Sequence, residues 1–153
     1  MKTLIIGYGN RNRRDDGAGW YVVERLQALA VPNVDLVTAH QLEVDMAETV
    51  SRYDTVFFVD AAIPETPHAV VRVAVRPNFQ SHSVAHYLTP ADVLALSSSL
   101  YGAEPHGFLF SIRGMDFNFG ETLTPAVQTL AEEVVREIRQ MLALLQQPVA
   151  VHA

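Results

Sequence analysis

The sequence predicts a single α/β domain with a twisted, mostly parallel sheet of about five strands and helices on both faces. Strand and helix patterns alternate along the chain, which is the order typical of this fold class. Residues 55–59 form an apolar run that strands buried on both faces commonly show. No repeat, low-complexity segment or linker interrupts the chain. Residues 1–153 are therefore expected to form one domain, with 146–153 as a frayed tail.

The first half of the chain predicts three strands separated by two helices. Residues 2–6 are a β-branched and leucine run that ends at a glycine-containing loop. Trp20, Val23, Leu26 and Ala30 recur at helical spacing, which predicts an amphipathic helix over 16–30. A second strand over 34–38, a second helix over 43–52 and a third strand over 55–59 follow.

The second half predicts two further strands and two capped helices. Residues 69–76 alternate valine and alanine with arginine, which indicates a half-exposed edge strand. Thr89 followed by Pro90 is a helix start, and that helix is expected to run to about residue 99. An apolar strand over 107–112 precedes the same start signal at Thr124 and Pro125, which opens a final helix over 125–145.

Composition excludes several classes of function. The chain has no cysteine, so disulfides, Cys-ligated metals and thiol catalysis are excluded. A net charge of -6 and a pI near 5.4 argue against a nucleic-acid partner, which requires a basic surface. No apolar run reaches membrane-spanning length, and the first strand pattern leaves no room for a signal peptide. We expect a cytoplasmic protein whose chemistry uses oxygen and nitrogen groups.

Candidate site residues cluster where the parallel strands are predicted to end. Ligands of open α/β sheets bind beyond the carboxyl ends of strands, near the point where the strand order reverses. Asp60 is predicted to end an apolar strand, where an acid is usually a cap, a ligand or a catalyst. Asp15 and Asp16 either cap the following helix or direct one carboxylate into the cleft, since Gly17 and Gly19 allow close backbone approach.

The histidines extend this candidate site. Near strand ends, or before the helix at Pro90, lie His40, His82 and His86, whereas His68, His106 and His152 are expected to be solvated. One aspartate of the first loop, Asp60 and one histidine could form an oxygen and nitrogen site for nickel, manganese, iron(II) or zinc.

Other catalytic and binding motifs fit poorly. Gly7 and Gly9 begin a dinucleotide-binding pattern, but Asn12 stands where its third glycine is required. Asp15 and Asp16 at the helix start would also repel a pyrophosphate. The chain contains no H-E-x-x-H, no G-x-S-x-G and no phosphate-binding P-loop. We therefore expect no nucleotide cofactor.

The motifs together resemble the [NiFe]-hydrogenase maturation endopeptidases. Gly7-Tyr8-Gly9-Asn10, four residues and then Asp15-Asp16-Gly17-Ala18-Gly19 are similar to the family's first loop. Residues 56–61 resemble its third strand with an acid at the end, and residues 86–94 resemble its histidine segment entering a helix. Residues 120–125 resemble the lead into its last helix, so the similarity spans roughly 2–145.

The resemblance implies an aspartic-type endopeptidase that removes the C-terminal extension of a hydrogenase large-subunit precursor after nickel insertion. Asp16, Asp60 and His86 match the family's metal-contacting and catalytic positions, with His82 as the rival for the histidine role. Nickel would be carried by the substrate rather than held permanently. The protein would act as a monomer, without membrane or nucleic acid.

Two alternatives and two departures accompany this resemblance. The chain could be a same-fold aspartate-dependent peptidase with another substrate, such as a germination protease, or a non-catalytic metal- or nucleotide-sensing module. It departs from relatives at residues 11–14, Arg-Asn-Arg-Arg, and at residues 40–42, His-Gln-Leu. Arg14 is expected to be an exposed arginine without a specific role. Alternatively, Arg14 forms an ion pair with Asp15 and Asp16, or it contacts an acidic part of the precursor.

Overall fold

The computed structural model describes residues 2–79 and 87–147 and has one five-stranded sheet. The strand order is β2-β1-β3-β5-β4, in which β4 is antiparallel to β5 and the other pairs are parallel. The strands are β1 (Thr3–Tyr8), β2 (Val34–Ala39), β3 (Thr55–Ala62), β4 (Val70–Val75) and β5 (His106–Arg113). The helices are α1 (Ala18–Ala28), α2 (Met46–Ser51), α3 (Pro90–Tyr101) and α4 (Pro125–Leu145). The predicted fold class and the edge position of β4 are confirmed.

Helices cover both faces of the sheet because successive residues of its central strands point to opposite sides. Ile5 and Phe57 pack with α1 and α4 on one face. Leu4 and Phe58 pack with α2 and α3 on the other face. All four of these side chains are fully buried, which explains the unbroken apolar pattern of β1 and β3.

Helix starts agree with the sequence in part. Thr89 caps α3 through a reciprocal pair of bonds, in which Asp92 N–H donates to Thr89 Oγ1 and Thr89 N–H donates to Asp92 Oδ2. α4 begins at Pro125 as predicted, but the Thr124 side chain makes no capping bond because its hydroxyl contacts Asp15. α2 is shorter than the predicted 43–52 and has no side-chain cap. A 3₁₀ turn, Arg14–Gly17, precedes α1.

The prediction that Asp60 ends its strand is wrong. β3 continues to Ala62, because β5 pairs with it as far as Arg113. On the other side, pairing with β1 stops at Gly7 and Val59. Asp60 is therefore the first β3 residue beyond the pairing with β1, and we call the place where this pairing ends the notch.

The notch coincides with the point where the strand order reverses. The chain goes from β1 to β2 on one side and then returns to β3 on the other side of β1. Gly7 and Gly19 let α1 lie tightly on this region, since a Cβ on Gly7 would be 2.2 Å from the Gly19 carbonyl oxygen. Within the described ranges, no helix is long and apolar enough to cross a bilayer.

Candidate active site

A cleft of about 340 Å³ opens at the carboxyl ends of β1 and β3. Its walls come from the end of β1 and the loop after it, the turn after β2, the part of β3 beyond its pairing with β1, and the residues before α3. The lining residues are Tyr8, Gly9, Asn10, Arg13, Asp16, His40, Gln41, Leu42, Asp60, Ala61, Tyr87 and Leu88. The loop after β1, His40 and Asp60, all predicted near strand ends, are thus brought together as the strand-end rule requires.

Asp60 lies at the buried end of this cleft. The Tyr8 hydroxyl donates to Asp60 Oδ2 at 2.9 Å. The other oxygen, Oδ1, is buried and has no hydrogen-bond partner among the described residues. Burial raises the pKa of Asp60 because it disfavours the charged form, and the negative charge of Asp16 adds to this effect. Polar contacts with Ser111 and Tyr8 oppose the rise in this pKa.

Tyr8 shares the buried environment of Asp60. Burial is the main reason that the pKa of the Tyr8 phenol lies above its ordinary value, and the Asp60 charge and hydrogen bond raise it further. The phenol therefore stays protonated and donates a hydrogen bond to Asp60 Oδ2. This arrangement holds the Asp60 carboxylate in one orientation and leaves Oδ1 without a hydrogen-bond partner among the described residues.

Asp16 is held at the same cleft by the loop that follows β1. The Asn10 backbone N–H donates to Asp16 Oδ2 at 2.7 Å. Gly9 makes this wrapping possible, because its φ of 142° lies in the region that glycine tolerates. A Cβ at Gly9 would lie 2.2 Å from the Asp16 carbonyl oxygen.

Asp15 has a different role from its neighbour. It is completely buried and accepts backbone N–H bonds from Met115, Asp116 and Thr124 at 2.8 to 2.9 Å. The Thr124 hydroxyl adds a fourth donor. Asp15 and Asp16 thus accept bonds from other segments of the described chain rather than from the first turn of α1. Of the two predicted roles, capping is wrong, and Asp16 is the member that faces the cleft.

Trp20 supports the cleft wall, a role that the sequence did not reveal. Its indole N–H donates to the carbonyl oxygens of Gly9 and Ala39, at 3.0 and 3.1 Å. The Gly9 N–H also donates to Ala39 O at 3.0 Å. Helical periodicity placed Trp20 on the apolar face of α1, and no local signal shows that two strand ends meet above it.

The histidine part of the predicted site is not placed. His86 and His82 lie outside the described residues, as does His152. His40 is exposed and lines the cleft, whereas His68 and His106 are exposed elsewhere. In residues 2–79 and 87–147, no three His, Asp or Glu side chains are arranged to hold a metal ion. The set of Asp16, Asp60 and His86 therefore stays a prediction.

The arginines after Asn10 contact several different groups. Arg14 pairs with Asp116, with 3.0 Å between Nη1 and Oδ2, so it does not pair with Asp15 or Asp16. Arg11 lies 3.4 Å from Glu24 and 5.4 Å above the Trp20 ring. Arg13 lines the cleft.

Solved structures with the same architecture include one class of enzyme repeatedly, the hydrogenase maturation proteases. The [NiFe] hydrogenase maturation protease HycI from Thermococcus kodakarensis is 22% identical, over 93% of this chain and 92% of that chain, with a TM-score of 0.71. The hydrogenase maturating endopeptidase HybD from E. coli is 18% identical, over 95% and 94%, with a TM-score of 0.74.

A third structure shows the same likeness. The hydrogenase 2 maturation peptidase from a Thaumarchaeota archaeon is 21% identical, over 94% of this chain and 99% of that chain, with a TM-score of 0.69. The sequence matches no family model, and no curated protein matches it significantly. The chain has the fold of the hydrogenase maturation proteases, which confirms the fold that the sequence resemblance implied.

Proposed function

We propose that this protein is an endopeptidase that removes the C-terminal extension of a [NiFe]-hydrogenase large-subunit precursor. The observation that carries the proposal is the meeting of Asp16 and Asp60 at the switch-point cleft of this fold. The three structures compared above are hydrogenase maturation proteases, and the alignment covers more than nine-tenths of each of them. We expect the protein to act as a monomer in the cytoplasm.

Substrate nickel would serve as the recognition element in this proposal. Asp60 Oδ1 is a buried carboxylate oxygen without a described partner, which is costly unless a cation or donor reaches it. Asp16 supplies a second carboxylate at the same cleft. His86 would complete two oxygens and one nitrogen, a donor set that suits nickel and leaves positions open for the substrate. A site without thiolates would also release the metal with the product.

Asp16, Asp60 and His86 are accordingly the proposed catalytic residues. Cleavage of the peptide bond requires water, a polarised carbonyl and a proton for the leaving amine. The metal could polarise the carbonyl as a Lewis acid, and a carboxylate could take a proton from water. A protease that depends on the metal carried by its substrate would cut only the nickel-loaded precursor.

The test is incubation with a hydrogenase large-subunit precursor, with and without bound nickel, followed by mass spectrometry of the released tail. We expect cleavage of the nickel-loaded precursor alone, and no cleavage of denatured casein. Asp16→Asn and His86→Ala should abolish cleavage while the variants remain folded. His106→Ala is the matched control because this histidine is exposed outside the cleft.

Three results would contradict the proposal. Cleavage of nickel-free precursor at the same rate as the nickel-loaded precursor would show that the metal is not the recognition element. Normal processing by both Asp16→Asn and His86→Ala would overturn the site assignment. A large rise in melting temperature with nucleotide, together with no cleavage, would favour a sensing module instead.

A further inference from the structure

Arg13 is an exposed cation on the wall of the cleft, and nothing in the proposed chemistry uses it. We propose that Arg13 binds a carboxylate of the precursor's C-terminal segment and so selects the substrate. This inference rests on the proposed function, because it assigns the chemistry of the peptide that enters the same cleft.

The neighbouring arginines are paired with acids, whereas Arg13 has no acidic partner in the part of the chain that the structure describes. Arg11 has Glu24 at 3.4 Å, and Arg14 has Asp116 at 3.0 Å. No acidic residue of the described ranges lies within 4.0 Å of the Arg13 guanidinium. Of the three arginines in this loop, the one that lines the cleft is thus the one without an acidic partner among the described residues.

The Arg13 side chain is also held in place before any ligand arrives. Its Nε donates to the Phe117 carbonyl oxygen at 2.9 Å, and its guanidinium lies 5.4 Å from the centre of the Phe119 ring. The Arg13 backbone is bridged to Gly120. An arginine that is already oriented loses less conformational entropy when it binds a ligand.

Because Nε already donates to the Phe117 carbonyl oxygen, Nη1 and Nη2 are the guanidinium groups that remain available to a ligand. In the described part of the chain, no acceptor bonds Nη1 or Nη2 of Arg13. These two groups form the planar end that a carboxylate can bind with both oxygens.

The charges of the cleft favour a singly charged ligand. Asp16 and Asp60 line the same cavity, so their charges would repel a doubly charged phosphate more strongly than a single carboxylate. A single carboxylate at the mouth can contact Arg13 while the rest of the peptide lies along the cleft. A peptide offers such a group either as an acidic side chain or as its terminal carboxylate.

Variants of Arg13 and of the precursor test this contact together. Arg13→Gln should raise KM for the nickel-loaded precursor roughly tenfold and leave kcat within about twofold, as expected for the loss of one charge-assisted contact with a carboxylate at an exposed site. Arg11→Gln makes the same charge change in the same loop and is the control, with KM expected to stay at the wild-type value. Two substrates locate the carboxylate: a precursor whose tail acids are changed to amides, and one ligated to a synthetic tail with an amidated C-terminus.

The inference predicts that one of these neutralised substrates is bound equally by the wild type and by Arg13→Gln. An unchanged KM for Arg13→Gln on the native precursor would overturn it. So would an equal rise with Arg11→Gln, or a penalty that persists on both neutralised substrates, because Arg13 would then act through general charge or loop folding. A wild-type protein that cuts no precursor would overturn the proposed function itself, and this inference with it.

Discussion

The adjacent acids Asp15 and Asp16 should respond in opposite ways to the same substitution. Asp15→Asn is expected to destabilise the fold, whereas Asp16→Asn is expected to stop processing with little effect on stability. Both variants remove one negative charge and keep the shape of the side chain. A difference between them therefore reports what each carboxylate contacts.

The expected loss in the Asp15→Asn variant follows from the donors around this carboxylate. The oxygen of the introduced amide can face the N–H groups of Met115 and Asp116, but the amide NH₂ group then faces the Thr124 N–H. One buried N–H without an acceptor costs about 1–3 kcal/mol, and the two remaining bonds lose their charge assistance. We expect a total loss of about 2–4 kcal/mol, which is a large part of a typical stability of roughly 5–15 kcal/mol.

The corresponding loss at Asp16 is smaller. Its carboxylate accepts one backbone N–H, from Asn10, beside an open cleft where water can replace the bond. We expect a change of about 1 kcal/mol or less in the free energy of unfolding. In processing assays we expect the opposite order, with a larger loss of activity for Asp16→Asn than for Asp15→Asn, because Asp16 is the proposed catalytic residue.

Urea unfolding followed by the fluorescence of Trp20, the single tryptophan, measures both variants. Processing of the nickel-loaded precursor is measured on the same preparations, at a temperature where Asp15→Asn remains folded. Equal stability of the two variants would refute this assignment, as would a larger loss for Asp16→Asn.

Three further substitutions probe the cleft. Gly9→Ala should lower stability by about 2 kcal/mol or more, measured by urea unfolding, because its Cβ would overlap the Asp16 carbonyl oxygen; wild-type stability would contradict this. Trp20→Phe should lower the free energy of unfolding by about 1 kcal/mol, measured by circular dichroism, because Gly9 and Ala39 lose a shared donor. It should also lower kcat/KM for the precursor, and an unchanged kcat/KM would exclude a supporting role for Trp20. Asp60→Asn should gain stability relative to the wild type as pH rises above about 4, the ordinary pKa of an aspartate in the unfolded chain. Burial raises the pKa of Asp60, so ionisation destabilises the wild type as pH rises; a constant difference in unfolding free energy would refute this reasoning.

Local patterns were sufficient for most of the fold. The α4 bounds and the Thr89–Asp92 start of α3 depend on side chains within a few residues, so sequence spacing predicts them. The end of β3 was wrong because it depends on β5, a strand that comes much later in the chain. Thr124 looked like a helix cap, yet its hydroxyl contacts Asp15, which is distant from it in sequence.

Sequence patterns predicted the α/β class, the strand-end location of the site, Asp60 and one acid of the Asp15–Asp16 pair, and the family resemblance selected Asp16. These features can be predicted because burial periodicity and the residue types of loops depend on residues that are close together in the sequence. Only the tertiary structure showed that Asp15 supports the 115–124 segment while Asp16 faces the cleft. It also decided that Tyr8 orients Asp60, that Trp20 joins two strand ends and that Arg13 has no acidic partner among the described residues. Each of these features depends on contacts between segments that meet only when the sheet is assembled, and the spacing of residues along the chain does not predict such contacts.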